Sequence, residues 1–121
     1  MMGSIIICIL IGAVSGITAG LFGVGGGVIM VPAFANLLQL SFKNAAASSL
    51  AAIILTSVVA TVKNSGSNLV DWRVTIPTCL AAGLLAWFAG DWLKSLSNIM
   101  LTRMFGTLLI VFGMKMLWMG K

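Results

Sequence analysis

The chain has 121 residues, of which 60 % are hydrophobic, and its charge is confined to seven Lys or Arg and two Asp or Glu. Soluble domains are roughly 45–50 % apolar and carry about 25 % charged residues, so this chain cannot clothe a water-facing surface. It reads as an all-α integral membrane protein, a single membrane domain over residues 1–121 with lipid as its solvent.

The absence of His, Tyr and Glu removes zinc catalysis, Ser-His-Asp chemistry and paired-carboxylate hydrolysis. No enzyme activity, metal or cofactor is therefore expected. The net charge of +5 comes from cations scattered singly. That pattern suits headgroups at membrane boundaries and gives no nucleic-acid patch. Cys8 and Cys79 lie in apolar stretches and read as small hydrophobes. The start, Met1-Met2-Gly3-Ser4, lacks the basic region of a secretory signal, so the first apolar segment is expected to stay in the mature structure.

Residues 1–42 contain no charge. As one helix they would run about 63 Å, twice the ~30 Å hydrocarbon thickness. The chain must break, and Gly23-Val24-Gly25-Gly26-Gly27 followed by Pro32 marks the place. A first helix is expected from Ile5 to Phe22. A shorter second helix should start near Pro32, with Pro in its first turn, and end near Ser41 as a broken or re-entrant helix. Crossings then follow over 44–62, 74–93 and 99–119, giving about four transmembrane helices plus the broken segment. The last carries Arg103 and Lys115, about 18 Å apart along a helix, close enough to opposite interfaces for both to snorkel. Trp118 suits an interfacial anchor.

Gly12, Gly16 and Gly20 recur every fourth residue and predict a small-residue packing face, for a helix of this chain or of a second subunit. The glycine break does not match a nucleotide loop: neither G-x-G-x-x-G spacing nor a following Lys-Ser/Thr is present. Two readings stand beside each other, a packing kink and a substrate site. Free backbone groups at membrane depth need protein, water or ligand to satisfy them, and broken helices with their N-termini facing anions do so in transporters. Thr56 and Ser57 are expected to bond back to their own helix.

The run from Gly12 through Gly16, Gly20, Gly23 and Gly25-Gly26-Gly27 to Pro32 resembles the signature of the sulfite exporter TauE/SafE family of membrane permeases. Ala45-Ala46-Ala47-Ser48-Ser49-Leu50, Val70-Asp71-Trp72, the small residues Gly83 and Gly90, and Arg103-Met104-Phe105-Gly106 with Gly113-Met114-Lys115 resemble later family segments in the same order. Members of that family are usually about twice this length, in two homologous halves. The resemblance thus implies one transporter half, working as a homodimer or with a second homologous half. It also implies export of a small sulfur-containing anion, such as sulfite or an organosulfonate, across the cell membrane. The substrate-binding residues expected are Gly23, Gly25, Gly26, Gly27, Pro32, Ser48 and Ser49, while Gly12, Gly16, Gly20, Gly83 and Gly90 serve packing. Asp91 departs from the family pattern and reads as an interfacial charge near Lys94. The competing readings are a small dual-topology cation or drug exporter, which needs an intramembrane acid, an anion channel, and a non-transporting membrane subunit.

Overall fold

The computed structural model describes residues 2–120, which form five helices: α1 (Met2–Phe22), α2 (Gly27–Leu37), α3 (Phe42–Gly66), α4 (Trp72–Ser95) and α5 (Asn98–Met119). No strand occurs among them. At 21, 25, 24 and 22 residues, α1, α3, α4 and α5 are each long and apolar enough to cross a membrane. The protein is accordingly a multi-pass membrane protein. α2, at 11 residues, reaches only about 16 Å, half the hydrocarbon thickness.

Local chemistry sets most of the boundaries. Ser41, Asp71 and Ser97 take extended conformations, and their side-chain oxygens accept from the N–H groups of Asn44, Arg73 and Met100, capping α3, α4 and α5. α1 ends where expected. Gly23 turns left-handed at φ 71° and its N–H donates to the Ala19 carbonyl at 2.9 Å, a bond that closes the last turn. α3 runs four residues past the expected Val62 to Gly66, because Lys63, Asn64 and Ser65 continue the helix beyond the last apolar turn.

One element starts elsewhere than the sequence suggests. α2 begins at Gly27, so Pro32 lies in the helix interior and not in its first turn. Gly26 adopts φ 80°, ψ −9°, and its carbonyl then accepts from Ile29 at 3.1 Å and Met30 at 2.9 Å. The helix is thereby nucleated ahead of the proline. Pro32 removes the hydrogen bond that the Val28 carbonyl would otherwise accept.

α1, α2 and α3 pack together. Ile11, Ser15 and Ala19 of α1, Met30 and Val31 of α2, and Ala45 and Ser49 of α3 are buried. α5 leans on α3 through an edge-on Phe42–Phe105 pair with ring centroids 5.7 Å apart. At the same end Lys43 donates from Nζ to the Lys94 carbonyl at 3.0 Å and from its backbone N–H to Asn98 Oδ1 at 3.2 Å. These bonds tie the start of α3 to the α4–α5 turn and place Lys43 and Lys94 on one side of the bundle. α4 buries none of its residues. Large apolar side chains such as Trp87, Leu117 and Trp118 are exposed, as suits a surface that meets lipid or another helical unit.

Candidate functional site

The break between α1 and α2 lies deep in the bundle. A Cβ built on Gly26 would sit 3.1 Å from the Ser15 carbonyl oxygen and 3.2 Å from the Ser15 Cβ. Cβ atoms on Gly25 and Gly27 would lie 3.2 and 3.0 Å from the Ile53 side chain. Ser15 is three residues past the centre of α1, and Ile53 is one short of the centre of α3. At 1.5 Å per residue, the tip of the break is within about 5 Å of the midpoint of both flanking helices. α2 then spans from mid-depth back to the side where α3 begins.

Three glycines carry the turn: Gly23, Gly25 and Gly26 have φ of 71°, 72° and 80°. L-residues with a side chain avoid this region, and glycine does not. Gly27, expected to share that role, is helical and forms the first residue of α2; it is needed for closeness to Ile53 and not for its φ. Gly26 has no side chain to cap α2. The N–H groups of Gly25, Gly26, Gly27 and Val28 enter none of the backbone hydrogen bonds around the break. A helix N-terminus with unpaired donors carries partial positive charge, here without any ionised side chain in α1 or α2.

The other expected residues fall in different places. Ser49 is buried beside the core, and its Oγ donates to the Ala46 carbonyl at 2.8 Å; Ser48 is exposed on α3. Pro32 is half-buried, a turn and more along α2 from the free donors. A Cβ on Gly12, Gly16, Gly20, Gly83 or Gly90 would meet nothing within 4 Å, and Gly16 and Gly20 line an open groove beside Leu55, Thr56 and Val59 of α3. Packing on α1 uses the stripe one residue earlier, Ile11, Ser15 and Ala19. Thr56 bonds back to the Ile53 carbonyl at 3.0 Å. It also joins Gly23, Gly25, Thr61 and Asn64 in lining an open cleft of about 180 Å³ on the far side of the break. No group of three or more metal-ligating side chains exists among the described residues.

Ser15 is the residue that sequence reasoning passed over. It is fully buried against the break, and its Oγ has no hydrogen-bond partner among the described residues. Its signal in the sequence is a four-residue spacing with Ile11 and Ala19, which the neighbouring glycine repeat overshadows.

A bundle of membrane-crossing helices, interrupted at mid-depth by a glycine turn that opens a half-length helix, defines a class of multi-pass membrane proteins built on a broken helix. The sulfite exporter TauE/SafE family matches residues 4–121, and the chain belongs to that family. Among curated relatives, it is 34 % identical over 116 residues to the probable membrane transporter protein YunE of Bacillus subtilis, covering 93 % of this chain and 41 % of that protein. It is 31 % identical over 107 residues to a probable membrane transporter protein of Xylella fastidiosa, covering 86 % and 41 %. It is 27 % identical over 119 residues to one of Haemophilus influenzae, covering 93 % and 45 %. The chain thus spans less than half the length of the curated relatives it matches. No solved structure matches it significantly.

Proposed function

We propose that the chain forms half of a cell-membrane transporter for small sulfur-containing oxyanions, of the sulfite or organosulfonate type, and that the anion binds at the start of α2. The observation that carries this reading is the left-handed Gly26 at mid-depth, with the N–H groups of Gly25, Gly26, Gly27 and Val28 outside the local backbone bonding. An oxyanion leaving water must exchange its hydration for donors, and a bare charge in lipid costs many kcal/mol. Backbone N–H groups at a helix N-terminus supply those donors and repel no anion. The substrate class comes from the family and its description as sulfite exporters. A cation or drug exporter would need an acid among the helices that pack around the break, and α1, α2 and α3 contain none.

The second half is supplied by another copy or by a homologous unit. Supporting this are α4, which buries none of its residues, the Gly12, Gly16 and Gly20 stripe, where a Cβ would meet nothing within 4 Å, and the length ratio to the relatives. The deciding experiment is uptake of labelled sulfite into proteoliposomes containing the chain, alone and with any co-purifying partner. Saturable flux, lost in Gly26→Leu at matched assembly, is the expected result. Flux no greater than in protein-free vesicles for both preparations refutes the proposal.

A further inference from the structure

We infer that the Ser15 hydroxyl is a direct hydrogen-bond donor to the oxyanion at the break, an inference that rests on reading the break as the anion site. Ser15 is 0 % exposed, and its Oγ is unpartnered among the described residues. Among the described residues it is the one buried side-chain oxygen or nitrogen without a partner. Thr18, Ser49, Thr56, Thr75 and Thr78 all donate to a carbonyl three or four residues back in their own helices. Such back-bonding is the ordinary fate of a hydroxyl in a membrane helix, and Ser15 forgoes it. A buried polar atom without a partner is rare in a native fold and marks a place that a water or a ligand fills.

The place is specific. The Ser15 Cβ lies 3.2 Å from the position where a Gly26 side chain would begin, and Gly26 is the N-cap of α2. Ser15 therefore packs directly against the residue that opens the first turn of α2. The two donor sets come from different elements: the N–H groups from α2 and the hydroxyl from α1. An anion with several acceptor oxygens can bridge them, whereas a halide, without fixed oxygens, gains less from the separation. The donor set is neutral, and among the described residues α1 and α2 hold no lysine or arginine. Removing one neutral donor from such a set weakens the site without leaving a buried charge unpaired.

Ser15 could also be there only because it is small enough to lie against Gly26. Ser15→Ala separates the two roles, since it keeps the size and deletes the hydroxyl. The test uses the full chain in its native assembly in lipid nanodiscs and proteoliposomes, with sulfite as the probe and Gly26→Leu as the control for the site itself. Ser15→Ala is expected to raise the half-saturating sulfite concentration about tenfold or more, the usual effect of losing a hydrogen bond to a charged group. Without sulfite, its melting temperature should equal or exceed the parent's, because an orphaned buried hydroxyl is gone; the rise in melting temperature on adding sulfite should shrink. Parental half-saturation in Ser15→Ala, with flux abolished in Gly26→Leu, overturns the Ser15 assignment and leaves the break as the site. A lower melting temperature of Ser15→Ala without sulfite, at unchanged half-saturation, assigns the hydroxyl to a structural water and also overturns it. Normal flux in Gly26→Leu removes the site and this inference together.

Discussion

Replacing Gly26 by alanine adds one methyl group at the point where α1 and the break approach most closely. Two costs arise there. The backbone holds φ 80°, where an L-residue with a side chain loses about 1–2 kcal/mol. The new carbon would also stand 3.1 Å from the Ser15 carbonyl oxygen and 3.2 Å from its Cβ. Neither neighbour is the free end of a flexible side chain, so α1 and α2 must separate, at about 1–3 kcal/mol for an overfilled contact. Together the substitution should destabilise the chain by about 2–5 kcal/mol and displace the α2 N-terminus from mid-depth. Gly27→Ala is the comparison. Its Cβ would meet only the terminal Cδ1 of Ile53 at 3.0 Å, and Gly27 is helical, so a rotamer change should hold the cost below about 1 kcal/mol. The assay is reversible unfolding in mixed micelles, paired with sulfite flux at matched membrane expression. Equal stability and equal flux for the two variants would refute the claim that Gly26 is set by its conformation and its contact with Ser15.

Other perturbations test separate parts of the reasoning. Pro32→Ala should stabilise α2, by up to about 3 kcal/mol, because it restores the donor facing the Val28 carbonyl; a loss of stability in the same unfolding assay would show that the proline shapes the packing of α2. Asp91→Asn should keep most sulfite flux, since an inside-negative potential drives a dianion outward with about 4.6 kcal/mol per 100 mV and needs no carboxylate proton carrier. Abolished flux with intact assembly would restore proton or sodium coupling. Single cysteines at Ser67 and Ser95, both exposed and at opposite ends of the bundle, report orientation once Cys8 and Cys79 are replaced, since in any one molecule they face opposite sides of the membrane. In cells expressing the chain alone, each site should label partly from both sides, because Lys43, Lys94 and Arg103 nearly balance Lys63, Arg73, Lys115 and Lys121. Exclusive one-sided labelling would refute weak orientation.

Much of the architecture was legible without coordinates because membrane thickness is a strict ruler. Charge-free stretches of about twenty residues became the bodies of α3 and α4, the apolar segment around Arg103 and Lys115 became α5, and the cap residues Ser41, Asp71 and Ser97 stood immediately before the three helices. The end of α1 at Phe22 was equally plain, since Gly23 is the left-handed residue that closes it. The start of α2 was not. Pro32 offers a strong local preference for a first turn, yet Gly26 nucleates the helix five residues earlier. That choice depends on Ser15 and Ile53 closing around the glycines, and both are remote in sequence.

The sequence alone determined that the chain crosses a membrane, where it breaks, and that glycine must carry the break. Those properties follow from hydropathy, helix length and the conformations open to a residue without a side chain. Tertiary structure alone decided which stripe of α1 turns inward. Gly12, Gly16 and Gly20 advertise a packing face, but Ile11, Ser15 and Ala19 one position earlier are buried, which brings an unpaired hydroxyl to the N-terminus of α2. In a soluble helix the polar face would have revealed the inward side. In lipid both faces are apolar, so only the fit of one helix against another selects it.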